Sequence, residues 1–356
     1  MEAAGTNRRH PFWVMRRIAT LGGSRPGAAR RTKAPRGPGA WLAPLLARLY
    51  LGRPELAELL AIKYGSWRAA FRAGWNEMLF RLGRTKGYRL VSANFEVTNA
   101  CNLSCTICPV NRGMQRRKRV MDLATFERFL DRNPSLEFVL LFQWGEPLLV
   151  TELPAMSAAA RRRGVRTMIT TNGTLLDEGW CRRLLDAGLS RLTLSVDGDA
   201  ETHRRIRGVE LEPLRENLLR LRRMRDAEGA DLGLDVSMVV NRLTEGSWRE
   251  LKATWRGVAD RIQAIPQFMV KARRNPCREP NRGSLVVLSD GSVTVCCADP
   301  EGVAVVGHID DAPLEDILNN DAMRAFRRAH FTRRFPEICK DCGEYASPVA
   351  GARFER

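Results

Sequence analysis

From about residue 90 the chain repeats one unit: a short run of apolar and β-branched residues, then a longer stretch with apolar positions at helical spacing. The short runs predict strands over 90–98, 136–143, 166–171, 191–196, 231–240 and 261–270. Between them MDLATFERFLDRN, ELPAMSAAARRRG, DEGWCRRLLDAG, LEPLRENLLRLRRMRDAEG and SWRELKATWRGVAD predict helices. Six strand–helix units of this length imply a parallel sheet with helices outside, either closing toward a barrel or open and doubly wound. After 270 the pattern changes. SLVVLSDGSVTVCCAD predicts a hairpin turning at Ser289-Asp290-Gly291, GHIDDAPLEDILNNDAMRAFRRAHF predicts one capped helix, and the region ends in CKDC. Upstream, residues 50–89 predict one or two amphipathic helices capping the sheet, and WLAPLLARLYL a further apolar helix packed on it.

Composition supports a globular protein, with 44% hydrophobic residues over 356 positions, enough for a substantial core. Charge is uneven: 58 basic against 40 acidic residues give +18, and the first forty residues hold nine Arg or Lys against the single acid Glu2. That Arg-, Gly- and Pro-rich start is read as a disordered extension, and nucleic acid is not expected as a partner. No apolar stretch reaches the roughly 18 residues a membrane span needs. Nine cysteines is an odd number, and the N-terminus does not read as a signal peptide, so reduced thiols in a cytoplasmic protein are expected.

Three of those cysteines, Cys101, Cys105 and Cys108, stand as C-x3-C-x2-C in NFEVTNACNLSCTICPVN, directly after the first predicted strand. Three thiolates bind three irons of a four-iron cubane and leave one iron open. Structural zinc takes four ligands, and no fourth Cys or His lies nearby. The segment resembles the signature loop of the radical S-adenosylmethionine (radical SAM) superfamily, and the other strand ends agree. Gln143-Trp144-Gly145-Glu146-Pro147 is similar to the family's GGEP element, with Trp144 in place of the first glycine. Thr170-Thr171-Asn172-Gly173 and Ser195-Val196-Asp197-Gly198 resemble its TNG and S-x-D-G elements, and residues 201–208 resemble E-T-H-x-x-I-R-G.

The resemblance implies a [4Fe–4S] cluster on Cys101, Cys105 and Cys108, and S-adenosylmethionine held by Gly145, Glu146, Asn172, Ser195, Asp197 and Arg207, with Ile107 where the family has an aromatic residue against adenine. In such enzymes the open iron chelates the cofactor, and one electron cleaves it to a 5′-deoxyadenosyl radical. The implied fold is a partial (β/α)6 TIM barrel over 90–270.

Four more cysteines form a second pattern: Cys277, Cys296, Cys339 and Cys342. Four thiolates saturate a second cubane, which can then carry electrons or hold structure. Tetrahedral zinc would be satisfied by the same set. The arrangement resembles the twitch or shortened SPASM domain, which places a small cluster-binding domain over 271–346 and a tail over 347–356, after a basic extension over 1–40 and a helical cap over 41–89. Cys296 and Cys297 are adjacent, so on a strand only one faces the cluster; the family spacing selects Cys296. Cys181 and the remaining thiol read as small buried hydrophobes.

These features imply a radical SAM oxidoreductase acting on a small-molecule substrate, anionic or sugar-like, and drawing electrons from a flavodoxin or ferredoxin. Oxidation of an alcohol on a sugar or aminocyclitol uses both cysteine sets. The rival readings are a maturase of a ribosomally made peptide and a non-catalytic iron–sulfur or zinc protein. The residues do not identify the catalytic base: Lys271, Arg273, Arg274 and His203 are near, but each reads better as ordinary solvated surface charge. The basic run Arg112, Arg116, Arg117, Lys118 and Arg119 is positioned to attract an anionic substrate.

Overall fold

The computed structural model describes residues 66–344 and 353–354. The basic extension and the predicted helix over 41–51 therefore lie outside the described residues. Six parallel strands, β1 (Ser92–Phe95), β2 (Phe138–Leu140), β3 (Arg166–Thr171), β4 (Arg191–Val196), β5 (Gly233–Val240) and β6 (Arg261–Pro266), lie side by side in chain order. Helices α2 (Leu123–Arg132), α3 (Leu153–Arg162), α4 (Glu178–Asp186), α5 (Ala200–Arg207), α6 (Leu211–Glu228) and α7 (Trp248–Trp255) connect them, and α1 (Trp67–Arg81) precedes them. The fold is α/β, a partial barrel.

The two faces of the sheet differ, and one contact fixes which is which. The Ser157 hydroxyl of α3 shares a 2.6 Å hydrogen bond with Thr167 of β3, so Thr167, Ile169 and Thr171 face the helices. Register carries this across the sheet to Val139, Leu192, Leu234 and Ile262, all in the apolar core. Phe95 of β1 joins that core edge-on against Phe126 of α2. The opposite, concave face is polar, with Asn94, Thr193, Ser195, Asp235, Ser237, Arg261 and Gln263.

Local chemistry sets the helix ends. Asp122, Asp177 and Asp199 cap α2, α4 and α5 by accepting from backbone N–H groups at 2.7, 2.7 and 2.9 Å. Gly208 and Gly229 end α5 and α6 in the left-handed region.

Beyond β6 the structure departs from the predicted pattern. The sixth strand stops at Pro266, which has no N–H for the ladder. The chain then forms β7 (Phe268–Val270), which pairs antiparallel with β11 (Cys342–Glu344) in a separate two-stranded sheet. The predicted hairpin is present as β8 (Ser284–Val287) and β9 (Ser292–Thr294), and β8 runs parallel to β1, so the cysteine-bearing hairpin extends the barrel sheet. β10 (Val305–His308) adds to β9, and β12 (Arg353–Phe354) adds to β6 at the far edge.

The single helix expected after the hairpin is broken. Its first residues form β10, and the rest divides into α8 (Leu314–Ile317) and α9 (Asp321–Phe331), followed by α10 (Glu337–Lys340). Asn319 and Asn320 make the break, because each side chain bonds to backbone elsewhere. Asn319 Oδ1 accepts from the N–H groups of Gly87 and Tyr88 at 2.9 Å each, while Asn320 caps α9 through Met323 N–H at 2.9 Å.

Candidate functional site

The loop carrying Cys101, Cys105 and Cys108 rises from the C-terminal end of β1, the end at which such barrels build their sites. Its shape is held by polar side chains. Asn111 Nδ2 donates to the carbonyls of Cys101 and Leu103 at 3.1 and 2.7 Å, Lys118 Nζ to those of Asn99 and Val110 at 3.0 and 2.7 Å, and Arg112 Nε to that of Ser104 at 3.1 Å. Thr106 N–H bonds to Ile206 O at 2.8 Å, which joins the loop to α5. All three cysteines are part-exposed, as is Ile107 between them.

The three thiols stand in one another's electrostatic field. Burial pushes the Cys101 and Cys105 thiols up, and the neighbouring thiols push them further in the same direction. A cation among them is what would let all three ionise together, so the donor set fits an iron cluster.

The strand ends around this loop hold the other expected residues. Gly145 has φ +93°, and a Cβ there would lie 2.5 Å from Thr98 O and 2.6 Å from Ala100 O, so the loop backbone occupies the space a side chain would need. Glu146 N–H bonds to Ala100 O at 2.8 Å. The Glu146 carboxylate is buried and accepts from Thr171 Oγ1 at 2.6 Å, Asn172 N–H at 2.8 Å and Leu148 N–H at 3.0 Å. Burial nevertheless raises its pKa. Asn172 Nδ2 donates to Asn102 Oδ1 at 2.9 Å and approaches Cys101 Sγ at 4.0 Å.

Ser195 stands on the concave face in register with Ser237. Asp197 is buried and accepts from Arg207 Nε at 2.7 Å and Val239 N–H at 3.2 Å. Arg207 also lies close enough to lower the Cys105 thiol. The three-cysteine loop, Gly145, Glu146, Asn172, Asp197 and Arg207 thus form one connected group.

The second cysteine set also converges. Burial, then the charges of Cys296 and Cys277, push the Cys339 thiol up to about 12, and Cys296 in turn raises Cys277. Cys342 opens β11, paired with Val270, and also contributes to raising Cys339. The adjacent Cys297 thiol, more than burial, holds the Cys296 thiol up, and Ala298 N–H donates to Cys296 Sγ at 3.3 Å. Cys296 thus lies within the electrostatic reach of Cys277 and Cys339, with Cys297 beside it. Cys181 is fully buried in the core. Among the described residues no three His, Cys, Asp or Glu side chains are grouped tightly enough to enclose a single metal ion.

Sequence reasoning passed over a row of polar residues linking the two cysteine regions. Asn94 Nδ2 donates to Gln143 Oε1 at 2.9 Å, and Gln143 Nε2 to Cys297 O at 2.6 Å. Glu96, fully buried, is paired with Arg116 and accepts from Ser289 N–H at 3.0 Å, with burial raising its pKa above the usual carboxylate range. Among the described residues its other oxygen, Arg116 Nε and Trp144 Nε1 are buried without a partner. The available signal was the alternation of β1, which turns Asn94 and Glu96 inward at a place where apolar residues are the rule.

Of the basic run, Arg112, Arg116 and Lys118 are spent on these local contacts. Arg117 and Arg119 instead line a cleft of about 390 Å³ shared with Asp122, Asp290 and His308. That cleft holds no cysteine, so it is separate from the candidate site. Lys271 and Arg274 are exposed, His203 is buried behind Asp197, and Arg273 lies against the second cysteine set.

Comparison with known proteins agrees with this geometry. The radical SAM superfamily model matches residues 95–253, and the model of an iron–sulfur cluster-binding domain, SPASM, matches 277–343. The chain belongs to the radical SAM superfamily and carries a SPASM-type domain, which implies a [4Fe–4S] cluster, S-adenosylmethionine and auxiliary iron–sulfur binding. It is 33% identical over 117 residues to an Fe-coproporphyrin III synthase of Methanosarcina barkeri, covering 33% of this chain and 29% of that protein. It is 34% identical over 116 residues to a PqqA peptide cyclase of Granulibacter bethesdensis, covering 32% and 31%. The chain thus spans about a third of the length of the curated relatives it matches. Among solved structures, BtrN in complex with AdoMet and 2-DOIA superposes with a TM-score of 0.51 at 19% identity, over 74% of this chain and 95% of that one. Streptococcus suis SuiB bound to S-adenosylmethionine superposes with a TM-score of 0.56 at 15% identity, over 75% and 73%. Both show the fold. Among the described residues no helix is long and apolar enough to cross a membrane.

Proposed function

We propose that this chain is a cytoplasmic radical SAM oxidoreductase that oxidises an alcohol on a sugar or aminocyclitol. The observation that carries this reading is the hydrogen-bonded link from β1, the strand that leads into the first cysteine loop, to the Cys296–Cys297 turn. Asn94, Gln143 and the Cys297 carbonyl form one hydrogen-bonded chain, and Glu96 joins β1 to the hairpin turn at Ser289. With cluster and S-adenosylmethionine bound, the cofactors would supply a 5′-deoxyadenosyl radical that removes a hydrogen atom from the substrate carbon. Cys101, Cys105 and Cys108 would hold the first cluster, and Gly145, Glu146, Asn172, Ser195, Asp197 and Arg207 the sulfonium nucleotide beside it, with Ile107 against its base. Cys277, Cys296, Cys339 and Cys342 would hold an auxiliary cluster able to accept the second electron. The chain must also take a proton from the hydroxyl. Glu96 suits that task, being a buried carboxylate beside β1 that lies between the barrel strand and the hairpin turn. A flavodoxin or ferredoxin would supply the initiating electron.

Modification of a ribosomally made peptide is the second reading, favoured by the 34% identity to a peptide cyclase. One experiment separates the two. The full chain, reconstituted anaerobically and reduced with dithionite, is expected to form 5′-deoxyadenosine from S-adenosylmethionine. Aminocyclitols deuterated at the carbinol carbon should then pass deuterium into that product. Production of 5′-deoxyadenosine with deuterium arriving only from labelled peptides would select the second reading, and no production at all would reject both.

A further inference from the structure

Arg273 lies beside the second cysteine set without belonging to it. Its backbone N–H bonds to Lys340 O at 2.7 Å and its Nε to Cys339 O at 3.2 Å, while Lys271 N–H bonds to Asp341 O at 2.8 Å. These bonds prolong the β7–β11 pairing and fix the arginine against the CKDC turn. The guanidinium stands within the electrostatic field of Cys277, Cys339 and Cys342. It is only part-exposed, whereas its neighbour Arg274 points to solvent.

Two other cations adjoin the set, and both are paired away from it: Lys340 with Glu337 and Arg278 with Glu77. His330 is fully buried and accepts from Cys277 N–H through Nδ1 at 3.2 Å, an acceptor role that requires the neutral ring. The opposing charge is Glu279, which lies near Cys277 and Cys296 and is itself paired with Arg282 at 2.7 Å.

We propose that Arg273 sets the reduction potential of the auxiliary cluster, as a fixed cation that favours its reduced form. This rests on the reading of Cys277, Cys296, Cys339 and Cys342 as ligands of an iron–sulfur cluster. Reduction adds one electron to the cluster and neither makes nor breaks a bond, so one negative charge is gained among the four thiolates. A guanidinium fixed on the Cys339 carbonyl and within the field of three of the ligands lowers the energy of that added charge. Arginine suits the role because it stays charged at any pH the protein meets. Arg273 is thus a positioning and tuning residue, one that acts through the ligands.

The test is a redox titration of the reconstituted full chain, poised with dithionite and followed by electron paramagnetic resonance, with Cys342→Ala identifying the auxiliary signal. Arg273→Gln keeps a hydrogen-bond donor and removes the charge; Arg273→Lys keeps the charge. Gln is expected to shift the auxiliary midpoint downward enough to change the reduced-to-oxidised ratio at least tenfold at a fixed poise, about 59 mV for a one-electron couple. Lys should stay close to the unmodified protein, and the signal from the three-cysteine cluster should not move. An unmoved midpoint in Arg273→Gln, or equal shifts of both signals, overturns the proposal. If Arg273→Gln loses its auxiliary iron, Arg273→Lys decides: a wild-type midpoint supports the charge, and loss of iron there too reduces Arg273 to a structural part. A wild-type protein with only one reducible centre rejects the two-cluster reading itself, a result distinct from an unmoved midpoint.

Discussion

Arg207 donates to Asp197 at 2.7 Å, with 11% of the arginine side chain and none of the aspartate exposed. The pair ties the end of α5 to the end of β4 beside Cys105. Replacing Arg207 with Met leaves a buried carboxylate without its counter-charge, a loss of about 3–5 kcal/mol for a pair of this kind. The denaturation midpoint of Arg207→Met is therefore expected to fall well below that of Arg207→Lys. S-adenosylmethionine binding, followed by equilibrium dialysis, should fall with it.

His203 lies fully buried behind the same aspartate, with Nδ1 accepting from Asp197 N–H at 3.2 Å. Burial, reinforced by Arg207, pushes its imidazole down to about 3. The unfolded chain takes up this proton near pH 6.5, so between there and about 3 the unfolded state binds more protons and stability falls as pH falls. By pH 5 the loss from this one group is about 2 kcal/mol. Urea midpoints at pH 7.5 and 5 should show the decline, and His203→Gln should make it shallower.

Gly145 cannot accept a side chain. Its φ of +93° and the carbonyl oxygens 2.5 and 2.6 Å from any added Cβ belong to rigid loop backbone. Gly145→Ala should cost about 1–3 kcal/mol in strain and displace the cysteine loop. Lower iron retention after reconstitution, measured by a chelator assay, is the expected outcome; retention equal to that of the unmodified protein would contradict it.

Cys296 and Cys297 are expected to separate cleanly. Cys296→Ala should lose the iron of one cubane, four atoms per chain, whereas Cys297→Ala should keep it, because it is Cys296 whose charge acts on Cys277 and Cys339. Iron analysis of the two variants beside a Cys101, Cys105 and Cys108 triple replacement would show whether the two losses add.

Asp235 is held by two arginines. Arg191 Nη1 reaches both its oxygens, at 3.0 and 2.9 Å, and Arg261 bonds to it as well. Asp235→Asn would leave two cations at the barrel floor with no carboxylate between them. A drop of about 3–5 kcal/mol in stability from chemical denaturation is expected, with the iron content of folded protein unchanged.

The strands β3 and β4 were legible to the residue, because their apolar positions alternate cleanly and turn formers flank them. The cysteine spacing and the strand-end motifs were equally plain. Three things were not. The departure of the chain at Pro266 depends on a partner strand some 75 residues further on, which local pattern cannot register. The split between α8 and α9 depends on Asn319 reaching Gly87, a contact that helical periodicity does not encode. Alternation along β1 turns Glu96 inward, but its bond to the hairpin turn at Ser289, nearly two hundred residues away, is a contact that local pattern does not encode.

The parallel pairing of β8 with β1 has a mechanical consequence. A redox module on a flexible tether would vary its tunnelling distance with every hinge motion. Here four consecutive residue pairs, Ser92 with Ser284 through Phe95 with Val287, stitch the hairpin to the strand that launches the first cysteine loop. Moving the hairpin, and with it Cys296 just beyond β9, relative to the first cysteine loop would have to tear that ladder, so this part of the spacing is set by the main chain itself.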